Sequence, residues 1–296
     1  MTELRGTDTA QCGYGLLGIC CDSCLSGPCR LSPFDEEAGG APCGVDRDWI
    51  VANNLLERVL LESLHRIAAC KAETAGSGKA FAALFSPAGA FPTLHSLGMP
   101  RGTWMDALLE AAAGRRDRKQ EPEALLREAL RLSAFALAAE ELPAPDNGPG
   151  PAARDLALPE APSPLVVITA DETEGADPER ERLGEEIERG CAAAVPTYHV
   201  PIRGLAGFAR AAYATWDTPL AFTGSAAVVV SPSAIPGLGA LALGFSLLAI
   251  PGYPIRGSAR VEEYLTARMK ETFGHGMLRV PPREDIGAIL LRSLRP

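Results

Sequence analysis

The chain has 296 residues, 47% hydrophobic and 22% charged, with a net charge of −9 and a pI near 5.1. That length allows two domains with cores of their own, and the acidic balance argues against a nucleic-acid surface and for a basic or neutral protein partner. The start, MTELRGTDTAQ, lacks the basic residues and apolar core of a secretory signal, which places the cysteines in a reducing cytoplasm; the longest apolar run, GLGALALGFSLLAI, is shorter than the roughly 20 residues of a membrane span.

Six of the eight cysteines fall in the first 43 residues, within CGYGLLGICCDSCLSGPCRLSPFDEEAGGAPCG. A stretch so rich in glycine and so poor in large apolar residues cannot build a core, so residues 1–45 read as a segment held by metal. Helical periodicity begins at Asp46, with Trp49, Ile50, Leu56, Val59, Leu60 and Ile67 on one face and Asp46 or Asp48 as cap. A second helix runs from an N-cap at Thr103 to Gly114, and a third from about Pro122 to Glu141, so 46–141 reads as a helical domain. The proline-rich stretch 142–163 is the expected linker.

After the linker the chain alternates. PLVVITA is a continuous apolar strand, and a helix opens at Asp177-Pro178 and closes at Gly190. Further strands are expected at 197–200, 226–230 and 277–280, with helices near 205–214, 237–246, 259–273 and 283–294. Residues 164–296 therefore predict one doubly wound, Rossmann-like α/β domain, and the fold class is α + α/β.

The chemistry sits in the cysteine spacing. Cys21, Cys24, Cys29 and Cys43 stand as C-x2-C-x4-C-x13-C, a compact trio plus one outlier, which suits a 4Fe-4S cluster. Structural zinc uses the same ligands, usually as two C-x2-C knuckles, and one such pair is present here. Cys12 and Cys20 cannot complete a second four-thiolate site within one chain. A two-fold axis resolves this, because two chains that each contribute Cys12 and Cys20 share one site.

The pattern C-x2-G-x2-G-x-C-C-x2-C-x2-G-P-C-R, from Cys12 to Arg30 with Cys43 beyond, resembles the N-terminal signature of the nickel-containing anaerobic carbon monoxide dehydrogenases. The likeness continues into CGVDRDWIVANNLLERVL, and ALGFSLLAIPGYPIRGSARVEEYLTARMKETFGHGMLRVPPREDIGAILLRSL is similar to the last part of the family's C-terminal α/β domain. The resemblance implies that Cys12 and Cys20 hold the subunit-bridging D cluster, and that Cys21, Cys24, Cys29 and Cys43 hold the B cluster. It also implies a missing α/β domain and a missing catalytic C cluster, since that nickel-iron centre takes one histidine and five cysteines and Cys70 and Cys191 alone follow Cys43.

No catalytic residue is assigned. Cys70, Cys191, His65, His95, His199 and His275 have no companions at ligand spacing, and AGSGKAF lacks the Ser/Thr of a phosphate loop. The expected protein is an iron-sulfur electron-transfer or partner protein, a homodimer without nickel that meets a ferredoxin-like or other redox protein. The rival readings are a dehydrogenase or reductase of altered chemistry with a further metal cluster between the domains, and a non-catalytic assembly, sensing or complex subunit.

Overall fold

In the computed structural model, the described residues are 12–32, 40–73, 104–140, 158–159, 163–170, 185, 188–189, 195–200, 202–216, 225–231, 233–250 and 257–265. The expected strand at 277–280 and helix at 283–294 lie outside them, as does Thr103.

The N-terminal segment is less loop-like than its composition predicts. A short helix α1 (Gly13–Leu17) ends at Gly18, whose φ of 77° stops it, and a two-residue hairpin follows, β1 (Cys20–Cys21) against β2 (Cys29–Arg30). Behind it runs the long helix α2 (Arg47–Glu73). Of the two candidate caps, Asp46 takes the role, its Oδ1 accepting the Trp49 N–H at 2.7 Å. Asp48 accepts the Ser258 hydroxyl instead, also at 2.7 Å.

Helices α3 (Trp104–Gly114) and α4 (Pro122–Glu140) pack on α2 and on each other. Their shared core holds Ile50, Leu56, Val59, Leu108, Leu125, Leu126 and Leu137. Arg131 is buried among them, paired with Glu110 of α3 and Glu128 of its own helix, and its guanidinium lies 5.8 Å from the Phe135 ring centre. Burial raises the Glu128 carboxyl above its ordinary pKa, more than the Arg131 charge lowers it.

Among the described residues the sheet has four strands, all parallel, in the order β4 (Thr197–His199), β3 (Val166–Ala170), β5 (Ala226–Val230), β6 (Ser246–Ile250). The chain steps outward from β3 to β4, then returns past β3 to β5 and β6, so its direction reverses between β3 and β5. A 3-10 turn (Ile202–Gly204) and helix α5 (Leu205–Trp216) lead from β4 to β5, and helix α6 (Ala234–Ala242) leads from β5 to β6.

Strand β6 corrects the reading of 237–246 as helix. The helix starts earlier, at Ala234, and ends by Leu243, after which Gly244 takes a φ of 103° and the rest of the apolar run extends beside β5. Both α5 and α6 touch α4, and all nine residues of α6 are buried, so α6 is the layer between sheet and helices.

Glu62 of α2 reaches the buried start of α6. Its carboxylate accepts the Ser233 hydroxyl at 2.7 Å and the N–H groups of Ala234 and Ile235 at 3.1 and 3.2 Å. An anion is thus already seated on the helix N-terminus beside the chain reversal, where such folds bind nucleotide phosphates. Glu62→Ala is expected to cost about 1–3 kcal/mol, because it leaves buried N–H groups unpaired, and urea unfolding measures it. An unchanged midpoint would mean that solvent satisfies these donors.

The last described segment closes back on the first. Gly257 donates its N–H to the Leu17 carbonyl at 2.8 Å, Ser258 caps helix α7 (residues 259–265) through the Val261 N–H at 3.0 Å, and Arg260 of α7 binds Glu121 and Glu123 at the start of α4.

Candidate metal centre

The hairpin sorts the cysteines by face. Successive strand residues point to opposite sides, so Cys20 and Cys21 diverge although they are adjacent. Cys21 lies directly opposite Cys29, and Cys20 opposite Arg30. Cross-strand partners share a face, which groups Cys21 with Cys29 and Cys20 with Arg30.

Cys24 and Cys43, the other two thiols of the expected set, act on Cys29 electrostatically, as does Cys20 more weakly. The Cys29 thiol is pushed up in pKa, first by partial burial and then by the charges that Cys21, Cys24, Cys43 and, least, Cys20 place around it as thiolates. Mutual repulsion of this kind is what a multivalent metal cluster relieves, with protons released on binding. Cys21 is buried, while Cys24, Cys29 and Cys43 are half-buried.

Glycines permit the approach. Gly27 donates its N–H to the Cys24 carbonyl at 3.0 Å, and a Cβ there would stand 3.0 Å from the Cys21 carbonyl oxygen. Cys43 is delivered by a tight turn in which Ala41 N–H bonds the Val45 carbonyl at 2.8 Å and Gly44 adopts a φ of 86°.

The opposite face holds Cys20, across from Arg30. Cys12 precedes α1 and is exposed, and its thiol pKa is lowered, chiefly by the Gly15 and then the Tyr14 backbone N–H, with a smaller contribution from Arg30. Arg30, the cross-strand partner of Cys20, lies 5.8 Å over the Tyr14 ring. A lowered pKa supplies thiolate, the ligating form.

Two residues that sequence reasoning passed over hold this segment to α2. Asn53, fully buried, donates to the Ser23 hydroxyl at 3.2 Å; Asn54 donates to the Gly18 and Cys20 carbonyls at 2.9 and 2.8 Å. The adjacent polar pair on an otherwise apolar helix start was the available signal.

The remaining candidates lie elsewhere. His65 is exposed on α2, and His199 on β4 pairs with Glu188 at 3.2 Å where both are about half exposed. Cys191, His95 and His275 lie outside the described residues, as does the side chain of Cys70. Among the described residues, no three His, Cys, Asp or Glu side chains gather tightly enough for one metal ion.

No family model matches the chain. Over 49 residues at its N-terminal end it is 51% identical to the carbon monoxide dehydrogenase of Rhodospirillum rubrum and 53% identical to carbon monoxide dehydrogenase 1 of Methanosarcina mazei. The chain is a relative of the carbon monoxide dehydrogenases. The matched stretch is 17% of this chain and 8% of either enzyme, so the relationship is carried by the cysteine-bearing segment. Carbon Monoxide Dehydrogenase IV from Carboxydothermus hydrogenoformans aligns in structure with a TM-score of 0.37 and 13% identity, covering 92% of this chain and 58% of that one.

Proposed function

We propose that the chain is an iron-sulfur electron-transfer or partner protein related to the nickel carbon monoxide dehydrogenases. In this reading Cys21, Cys24, Cys29 and Cys43 hold a 4Fe-4S cluster within each chain, and Cys12 and Cys20 hold half of a second cluster shared across a homodimer. The observation that carries it is the hairpin register, which sets Cys21 against Cys29 and Cys20 against Arg30 and so parts the two adjacent thiols. Soft thiolates in sets of four fit iron-sulfur clusters, and the compact trio plus one outlier suits a cluster better than the two C-x2-C knuckles usual for structural zinc.

A bound cluster supplies one-electron transfer. The chain's own residues supply the enclosure: Ile19 and Cys21 anchor the hairpin in the core, Gly27 and Gly44 shape its turns, and Asn53 and Asn54 fix it to α2. Homodimer formation draws support from Leu61 and Leu64 on α2, which are 58% and 49% exposed; Leu61 lies two helical turns from Asn54 on the same face.

The absence of a catalytic C cluster rests on cysteine number, since Cys70 and Cys191 alone remain beyond Cys43. The division into a cluster segment (1–45), a helical domain (46–141), a linker (142–163) and an α/β domain (164–296) belongs to the same proposal. A cytoplasmic setting and a ferredoxin-like or other redox partner complete it.

Iron, acid-labile sulfide and nickel per chain, measured on protein purified without oxygen together with its mass in solution, test the reading. Three clusters per dimer predict ~12 iron, ~12 sulfide and no nickel per two chains. Nickel near one per chain would move the protein to the enzyme class, and zinc in place of iron would end the electron-transfer reading.

A further inference from the structure

Cys20 and Cys21 offer two thiols side by side, and a one-residue slip of β1 would exchange them. Strand register is strongly specified where one face is buried, but a two-residue strand has little ladder of its own to resist slipping. The restraint must come from outside the hairpin.

Asn54 is placed to supply it. The two hydrogens on its Nδ2 go to the Gly18 and Cys20 carbonyls, so one amide bridges the left-handed turn that ends α1 and the first residue of β1. Because the peptide group is planar, holding the Cys20 carbonyl also fixes the plane that carries the Cys21 N–H. Ile19, just before β1, is fully buried, so the core holds the chain on the near side of the Cys20 carbonyl that Asn54 grips. Asn53 adds a hold on Ser23, beyond Cys21.

We propose that Asn54 is a positioning residue that decides which of the two adjacent cysteines enters the intrachain cluster, by pinning the register of β1 against α2. The inference rests on the ligand assignment proposed above. With Asn54 in place, Cys21 faces Cys29 and Cys20 faces the Arg30 side. Without it, Cys20 can move into a vacant fourth position.

A ligand-exchange experiment tests this. The parent is Cys12→Ser, which frees Cys20 from the shared site; reconstituted anaerobically, it is expected to show the electron paramagnetic resonance signal of a reduced 4Fe-4S cluster. Adding Cys21→Ser is expected to abolish that signal and leave at most a three-iron species on Cys24, Cys29 and Cys43. Adding Asn54→Ala as a third change is expected to restore the four-iron signal to roughly half the parent level or more, with Cys20 as the new ligand, since a slip of one residue carries it to the other face. Circular dichroism checks that the fold persists, and Asn54→Ser, which keeps one donor for the two carbonyls, is the milder second arm.

Failure of both Asn54 variants to restore the signal overturns the inference, as does restoration with Asn54 still present. A Cys12→Ser parent that binds no iron overturns the ligand assignment, and the inference with it.

Discussion

Replacing Gly257 with valine is expected to remove most of the protein from the soluble folded fraction and to strip cluster iron from what remains. A Cβ at this position would overlap the Ile19 side chain and stand 2.5 Å from the Leu17 carbonyl oxygen. Ile19 is fully buried, and the Leu17 oxygen is backbone held by the Gly257 N–H itself, so neither has room to yield. Overpacking of this kind costs about 1–3 kcal/mol where side chains can adjust, and the involvement of backbone puts this case at or above the upper end. Against a total stability of about 5–15 kcal/mol, that is a large fraction. The damage is directed as well as large, because Leu17 and Ile19 lead straight into Cys20. Thermal melting and iron per chain measure the two effects. A valine variant with an unchanged melting temperature and full iron would show that α7 does not brace the thiol segment.

The contrast with Gly44 sharpens the expectation. There a Cβ meets nothing within 4 Å, but φ is 86°, so substitution strains the backbone without a clash. The cost of alanine at Gly44 is therefore about 1–2 kcal/mol, and its effect falls on the delivery of Cys43.

Some of this architecture is legible in the sequence and some is not, for physical reasons. The cysteine-rich segment announces itself, because thiol spacing is a covalent property of the chain and survives without knowledge of its fold. The helix from Asp46 is equally plain from its long unbroken period, and the strand PLVVITA from its continuous apolar run after a proline. Helix α1 and the hairpin are hidden, because five- and two-residue elements contain too few positions to show a period. Strand β6 is concealed within GLGALALGFSLLAI, where apolar residues serve helix and strand alike; the boundary is marked by Gly244. Contacts across long separations leave no local trace. Glu62 reads as one more polar residue on α2 until it meets Ala234, and Asn54 until it meets Cys20. Asp46 and Asp48 read alike as caps in the sequence; the helix starts at Arg47, which leaves Asp46 to cap it and Asp48 in the first turn to bind Ser258.

Replacing both Cys12 and Cys20 with serine is expected to lower the iron of the purified protein by one cluster per two chains, from ~12 to ~8, and to leave the reduced signal of the intrachain cluster in place. Cys20 is paired with Arg30 across the hairpin and is the most weakly felt of the four thiols that act on Cys29, and Cys12 lies outside the hairpin, before α1. Their removal therefore withdraws no ligand from the Cys21, Cys24, Cys29 and Cys43 set, and a serine at Cys20 can keep the backbone carbonyl bond to Asn54. If the shared cluster is what joins the subunits, mass in solution falls to that of one chain; if the exposed Leu61 and Leu64 face carries the association, the dimer persists with an empty axis site. Iron that stays at ~12 would remove Cys12 and Cys20 from the ligand set, and loss of both clusters together would mean that the two faces of the hairpin form one site.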